Sequence, residues 1–337
     1  MTDRYTDEWL QLEHALGTRP CLRGTALEMR EQYSGLVAAL ESQLPPVSDA
    51  VQTTDGVVEH VPYRIYTPAG TASTTAAAAG AAAAAAGLPI ALYTHGGGFV
   101  AGSIDADDRV CRLIAERTPC VVVSVGYRLA PEHAVPAQLE DAMVVARWIL
   151  SNADQLNGDA SKLITIGTSA GAGLALAVAN RFAKTTETTT SPNPIRGIVA
   201  LGPTTLHPDN IPSHYHAIHT SYTDNATDVP VIDAACMREF YRAQAVDPAD
   251  ADAFVALAPK AQLARFPATY IVTTDTDPVR DDGVVIETAL KEAGVPTKRD
   301  HYERLPHCFW IFPSLTEANK AFGANLLRGI HWVIENM

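Results

Sequence analysis

The sequence predicts an α/β fold, a mostly parallel β-sheet covered by helices on both faces, and three observations support this prediction. From Leu88 onward, apolar segments of strand length alternate with longer segments that have amphipathic helical spacing. The strand segments are apolar along their whole length, which is typical of parallel strands buried on both faces. The chain has 337 residues, of which 47% are hydrophobic and 19% charged, so it can bury the large core that such a fold needs.

The elements are predicted in chain order from periodicity and from helix-breaking residues. Residues 6–43 predict two helices, because apolar side chains recur at helical spacing until Pro45 and Pro46 end the second one. Residues 56–68 alternate and are β-branched or aromatic, so they predict one strand. The low-complexity residues 70–87, rich in alanine and threonine, predict a surface loop with no catalytic role. Further strands are predicted at 89–95, 120–127, 162–167, 195–202, 268–274 and 297–303, and helices at 105–117, 137–152, 170–184, 283–293 and 315–335.

Residues 205–260 interrupt the alternation of strands and helices. They are rich in Pro, His, Asp and Tyr, and we interpret them as an inserted helical subdomain. The expected organisation is an α/β core formed by residues 51–204 and 261–337, with a cap formed by residues 1–50 and 205–260. Such a cap would cover the carboxyl ends of the strands, where sheets of this type bind their ligands.

Charge and cysteine content exclude several classes of function. The formal net charge of −13 argues against binding to nucleic acid or to an anionic membrane surface. The five cysteines are scattered, odd in number and without a CxxC spacing, which indicates reduced thiols. Residues 1–13 are charged and contain no apolar secretion signal, and the alanine tract near 75–86 is too short to span a bilayer. We therefore expect a soluble cytoplasmic protein.

The first motif with chemical meaning is Gly167–Gly171, with the sequence GTSAG and Ser169 at its centre. The pattern G-x-S-x-G is weak alone, but here it joins a predicted strand to a predicted helix rich in alanine and glycine. A tight strand-to-helix turn strains its central residue and presents the side-chain oxygen beside the amino end of the helix. Ser169 is therefore predicted to be a catalytic nucleophile.

The second motif is His95–Gly98, which directly follows a predicted strand. Consecutive glycines let backbone N–H groups point into a site without an obstructing side chain, so Gly97 and Gly98, with Ala170 after the nucleophile, are predicted to form an oxyanion hole. We interpret His95 as a residue that holds this loop. The same glycines also fit a dinucleotide-binding pattern, but the next strand lacks the acidic residue that this pattern requires.

Two further candidates, Asp277 and His307, follow the last two predicted strands. With Ser169 they occur in the order nucleophile, acid, base, which is the order expected for a hydrolase on such a sheet. His307 would accept the serine proton at Nε2 while Asp277 holds its Nδ1. From the residues alone, the neighbouring carboxylates remain alternatives for the acid: Asp275, Asp281 and Asp282.

Taken together, these motifs resemble the hormone-sensitive-lipase family of esterases, which includes bacterial family IV. The resemblance implies an α/β-hydrolase fold with an eight-stranded sheet and a helical cap, and ester hydrolysis with neither a metal nor an organic cofactor. It also selects Asp277 among the neighbouring carboxylates. The matching segments are HGGGFVAGS (95–103), YRLAPEHAVPAQLEDA (127–142), GTSAG (167–171), DPVRDDG (277–283) and LPH (305–307).

A narrower resemblance rests on two departures from the usual family pattern. The chain has His307-Cys308-Phe309 followed by Trp310 where the family usually has HGF, and residues 207–225 are rich in histidine. Both features look like those of fungal esterases of secondary metabolism, the versiconal hemiacetal acetate esterases among them. This likeness implies an acetyl ester of a secondary metabolite as the substrate.

The expected partner is a small-molecule ester, and a homodimer is one assembly left open. Thioester, lactone and amide hydrolysis use the same acyl chemistry and remain alternatives. A different class is a non-catalytic small-molecule receptor on the same fold, such as the plant gibberellin receptors, which have lost the catalytic histidine. The presence of His307 argues against that class. Metal binding by a histidine cluster is disfavoured because its spacing is unconvincing: His214, His216 and His219.

Overall fold

One eight-stranded sheet organises the computed structural model, which describes residues 4–69, 87–185 and 193–337. The strands are β1 (Val51–Val58), β2 (Val61–Pro68), β3 (Leu88–Thr94), β4 (Val121–Val125), β5 (Gly158–Thr168), β6 (Ile195–Leu201), β7 (Thr269–Thr276) and β8 (Thr297–Pro306). Their order in the sheet is β1-β2-β4-β3-β5-β6-β7-β8. β2 is antiparallel to both β1 and β4, and all other pairs are parallel. The expected mostly parallel, eight-stranded sheet is confirmed.

Helices pack on both faces of this sheet, as β7 shows. Side chains of consecutive strand residues point to opposite faces. Tyr270 lies against Gly329 of the last helix, whereas Thr273, on the other face, lies against Gly283 of the preceding helix. The helices are α1 (Asp7–Leu16), α2 (Ala26–Glu41), α3 (Asp108–Arg117), α4 (Ala137–Asn152), α5 (Ala170–Thr185), α6 (Ser221–Asp224), α7 (Ala234–Gln244), α8 (Lys260–Leu263), α9 (Arg280–Glu292) and α10 (Thr316–Glu335).

The prediction of one strand over residues 56–68 is wrong, because this region lies in a β-hairpin. β1 and β2 pair up to Val58 and Val61, and the chain reverses at Glu59 and His60. Glu59 has a φ of 54°, in the left-handed region that tight two-residue hairpin turns require. The sequence offers neither Asn-Gly nor Asp-Gly at this turn, so the apolar alternation continues across the reversal without a visible break.

The amino-terminal segment and residues 205–260 contact each other at the carboxyl ends of the strands. The backbone N–H of Leu22 donates to the carbonyl of Val231 at 3.0 Å. The N–H of Ala26, which begins α2, donates to Glu239 of α7 at 2.9 Å. Residues 205–260 are less helical than predicted, since α7 is the one helix longer than four residues there and the rest is short helical turns, other turns and loops.

Other sequence expectations concern thiols, membranes and the alanine-rich segment. All five cysteines are free thiols. No helix in the described ranges combines the length and the apolar character needed to cross a membrane. The surface loop predicted at 70–87 lies, except for Gly87, outside the described residues.

Candidate active site

Ser169 lies at the sharp turn between β5 and α5. Its φ of 56° is in the left-handed region, which is the strained conformation expected of this turn. A Cβ atom added to Gly171 would lie 2.0 Å from the carbonyl oxygen of Thr94, and one added to Gly167 would lie 2.1 Å from the carbonyl oxygen of Gly171. Both glycines are therefore needed for strand and helix to approach so closely, and this approach fixes the position of the serine.

The three residues predicted to act together form one chain of hydrogen bonds. The distance between Ser169 Oγ and His307 Nε2 is 2.7 Å. The distance between His307 Nδ1 and Asp277 Oδ2 is also 2.7 Å. All three side chains are buried. This arrangement of hydroxyl, imidazole and carboxylate is the one that activates a serine for nucleophilic attack.

Local contacts hold Asp277 in place and set the charge of the imidazole. One carboxylate oxygen of Asp277 accepts a hydrogen bond from the Thr274 hydroxyl and the other from the backbone N–H of Val279, both at 2.9 Å. Burial alone would lower the pKa of His307, but the charge of Asp277 and the hydrogen bond to it raise that pKa well above the usual value of histidine.

The other carboxylates near Asp277 have different partners. Asp275 accepts a hydrogen bond from the backbone N–H of Arg304 at 3.2 Å. Asp281 and Asp282 bind the insertion, and Asp282 is also paired with the buried ring of His219, whose Nε2 lies 2.7 Å from its carboxylate. Between them, Asp281 and Asp282 accept hydrogen bonds of 2.7–3.0 Å from four backbone N–H groups, those of Thr205, Leu206, Thr220 and Ser221.

These anchoring roles of Asp281 and Asp282 were missed in the sequence analysis. The sequence feature that could have indicated these roles is the pair of carboxylates at the start of a predicted helix, shortly after the predicted acid. Burial raises the pKa of Asp282, although the hydrogen bonds from His219 and the backbone oppose this effect. Through these hydrogen bonds, Asp281 and Asp282 connect residues 205–260 to the loop that carries Asp277.

Gly97 and Gly98 line the cavity that also contains Ser169. Within the described part of the chain, the backbone N–H groups of these two glycines have no protein acceptor. Ala170 is buried and is the first residue of α5, so its N–H belongs to the unpaired amino end of that helix. Three N–H donors beside the serine could therefore bind an anionic oxygen.

A network of buried polar groups fixes the glycine loop. The carboxylate of Asp107 accepts hydrogen bonds from the N–H of Gly96 at 3.1 Å and from the hydroxyl of Tyr93 at 2.9 Å. Nδ1–H of His95 donates to the carbonyl of Gly96 at 2.7 Å, and its ring stacks on Tyr127. Burial lowers the pKa of His95 to about 4, so the ring is neutral. His95 therefore has the structural environment we expected, whereas Asp107 was missed.

The cavity at Ser169 is small and continues into a groove. Its volume is about 40 Å³, and residues from the amino-terminal segment and from the insertion close it, including Leu22, Val231 and Phe240. A groove of about 180 Å³ shares Tyr33 and Ile311 with this cavity and extends between α2 and α3 toward Trp310 and Pro313. A small group can therefore lie at the serine while a larger one occupies the groove.

Residue types that bind metals converge at one place in the described ranges, and Ser169, Asp277 and His307 are not part of it. Ligand atoms of Cys21, Asp233 and Cys236 lie within 4.8 Å of one another. The two oxygens of Asp233 are already bonded, one to the N–H of Cys236 and one to Arg23. The three histidines of the predicted cluster have separate partners: Asp282 for His219, the carbonyl of Ile211 for His216, and the ring of Tyr215 for His214.

Fold and site together define a class of protein. A family model described as an alpha/beta hydrolase fold matches residues 91–311, and the chain belongs to this family. Its eight-stranded sheet, its serine turn and the order of its motifs agree with that assignment.

Several relatives of the chain are named as esterases. The chain is 42% identical to versiconal hemiacetal acetate esterase of Dothistroma septosporum, over 100% of this chain and 97% of that protein. It is 32% identical to a carboxylesterase of Mycobacterium tuberculosis, over 82% of this chain and 81% of that one. The solved structure of an esterase from Pyrobaculum calidifontis superposes with a TM-score of 0.78 at 26% identity, covering 97% of this chain and 98% of that chain.

Proposed function

We propose that this chain is a serine esterase that hydrolyses short-chain carboxylic esters through an acyl-enzyme. The observation that carries the proposal is the continuous chain of hydrogen bonds from Asp277 through His307 to Ser169. The esterase names of the relatives support ester bonds over thioester, lactone or amide bonds. A receptor function is disfavoured because the base that such receptors lack is present and is bonded to the serine.

The geometry suggests the following sequence of steps. Ser169 Oγ attacks the ester carbonyl carbon while Nε2 of His307 accepts its proton, and Nδ1–H of His307 donates to Asp277 throughout. The carbonyl oxygen becomes an anion and accepts hydrogen bonds from the N–H groups of Gly97, Gly98 and Ala170. His307 then gives its proton to the departing alcohol. A water molecule, deprotonated by His307, attacks the acyl-enzyme, and the acid leaves as His307 returns the proton to the oxygen of Ser169.

The proposed substrate has a short acyl group, such as the acetyl ester of a secondary metabolite. The cavity of about 40 Å³ at the serine is much smaller than the neighbouring groove of about 180 Å³, so it suits an acyl group of few carbons. The relative from Dothistroma septosporum is named for an acetate ester, which supports the same choice.

We also propose that residues 1–50 and 205–260 act as a cap over a core formed by residues 51–204 and 261–337. The hydrogen bonds between the amino-terminal segment and the insertion support this division. The low-complexity residues 70–87 are proposed to have no part in the site. Free thiols and the absence of paired cysteines support the reducing cytoplasm as the place of action.

A series of p-nitrophenyl esters of increasing acyl length tests the proposed substrate class. We expect the highest kcat/KM between acetyl and about hexanoyl, because a methylene adds about 0.8 kcal/mol of binding only where the pocket buries it. Each ester is assayed below its solubility limit, with the Ser169→Ala variant as the blank. A maximum at dodecanoyl or longer, or a rise in rate when the ester forms droplets, would identify a lipase instead.

The pH dependence of kcat/KM tests the role of the imidazole. Ser169 can transfer its proton only to neutral His307, and the pKa of His307 is raised. The rate with p-nitrophenyl acetate should therefore increase as the pH rises through that pKa, and the midpoint should lie above about 6.5. The Asp275→Asn variant, which leaves the Asp277–His307 pair intact, should keep the same profile. A rate that falls over this range would contradict the assignment.

A further inference from the structure

A second, larger cavity lies beside the catalytic one. Its volume is about 380 Å³, against about 40 Å³ for the cavity at Ser169. Adjacent residues of the chain line the two spaces: Gly98 and Phe240 line the small cavity, and Phe99 and Tyr241 line the large one. The two cavities are therefore neighbours across a wall that the glycine loop and α7 form.

The ring of Phe240 belongs to the side of this wall that faces the small cavity. A Cβ atom added to Gly98 would lie 2.4 Å from Cδ2 of Phe240, so the ring packs directly on the glycine loop. Phe240 is only 2% exposed, and its position on α7 is held by the contact of Glu239 with the N–H of Ala26. The ring therefore occupies the space between the glycine loop and α7 on the side of the small cavity, and Phe240 does not line the larger one.

The orientation of a bound ester follows from the proposed chemistry. His307 must protonate the oxygen of the departing alcohol, so the alcohol part lies on the side of His307. The groove that contains Ile311 and Trp310 begins on this side. The acyl part points away from His307, toward the remaining lining of the cavity, which includes Phe240 and Val231.

We propose that Phe240 is the residue that limits the acyl chain length of the substrate, by closing the catalytic cavity off from the 380 Å³ cavity. This inference rests on the proposed esterase function and deepens it. The larger cavity is lined mainly by apolar side chains and has room for a medium-length linear acyl chain. The lining residues that would contact such a chain are Phe99, Val135, Leu139, Leu174, Ala177 and Phe254.

The test is the p-nitrophenyl ester series applied to the wild-type protein and to Phe240→Ala. Removing the ring should join the two cavities, so that the variant prefers acyl chains longer than those the wild-type protein prefers. Each methylene that becomes buried should raise kcat/KM by about fourfold, so the ratio of decanoyl to hexanoyl rates should increase on the order of 100-fold. An unchanged chain-length optimum in an active Phe240→Ala protein would overturn the proposal.

Matched variants separate this effect from general destabilisation. Phe266→Ala removes the same side chain from another buried position. Phe266 lies just before β7, at the amino ends of the parallel strands, and it lines none of the three cavities. It should keep the wild-type optimum. Phe240→Leu keeps more of the wall and should shift the optimum less than alanine does. If Phe240→Ala fails to fold, the Phe240→Leu variant serves as the test, because an unchanged chain-length optimum in that variant also overturns the proposal.

Failure of this inference can be distinguished from failure of the proposed function. If the wild-type protein hydrolyses none of the esters, the esterase proposal itself is wrong. If it hydrolyses short esters and the Phe240 variants show the same chain-length profile, the esterase proposal stands and the role of Phe240 is wrong.

Discussion

The Ser169→Ala variant is expected to lose about a millionfold in ester turnover while keeping its fold. The substitution removes the attacking oxygen and its hydrogen bond to His307, and leaves the tight turn between β5 and α5 unchanged. Turnover is measured with p-nitrophenyl acetate, and the fold with circular dichroism and thermal unfolding. A fluorophosphonate, which reacts with an activated serine and loses fluoride, should add its phosphonyl group to the wild-type protein and not to the variant.

Ser161→Ala is the matched control for this experiment. Ser161 lies on the strand that leads into the turn, is exposed, and bonds to its neighbour Asp159 among the residues that the structure describes. The control should retain wild-type turnover and labelling. Turnover close to wild type in the Ser169→Ala variant, or labelling that persists in it, would mean that another residue is the nucleophile.

The Asp277→Asn variant should lower turnover by about 10⁴-fold. An amide in place of the carboxylate cannot stabilise the protonated imidazole, and its NH₂ group favours the tautomer of His307 that carries the proton on Nε2. That nitrogen then cannot accept the proton of Ser169. The measurement is kcat under conditions that saturate the wild-type protein, with thermal unfolding as the check on stability.

Asp275→Asn provides the comparison, since Asp275 lies two residues away and contacts Arg304 rather than His307. We expect it to change turnover by less than about tenfold, because surface changes away from the reacting atoms have small effects. A large loss in Asp275→Asn together with a small one in Asp277→Asn would identify Asp275 as the acid.

The parts of the site that could be predicted from sequence are those encoded by neighbouring residues. The serine turn depends on Gly167 and Gly171, which lie within two positions of Ser169, so a motif of five residues predicts its geometry. The glycine loop is equally local. The hairpin at Glu59 was missed for the opposite reason: its turn uses an ordinary residue in an unusual backbone conformation, and no residue type marks it.

The order of the motifs predicted that Ser169, Asp277 and His307 act together, but other features that depend on packing between distant segments could not be predicted. Asp107 supports Gly96 from a different loop, and Asp282 contacts Thr205 of the insertion, which lies 77 positions away in the chain. The cavity sizes depend on where Phe240 meets Gly98, and these two residues are far apart in the chain. Spacing and periodicity carry no information about such contacts, because they arise from the three-dimensional arrangement of whole elements.

The carboxylates of Asp281 and Asp282 limit how this protein could be recombined with its relatives. A chimera that imports residues 205–260 alone must supply the same four backbone donors and a histidine in the place of His219. Without these groups, a buried carboxylate next to the catalytic acid would lose its partners, which would lower the free energy of unfolding by about 3–5 kcal/mol. A chimera should therefore exchange the insertion together with residues 277–282. The new substrate pocket is then transferred with the loop that positions the catalytic acid.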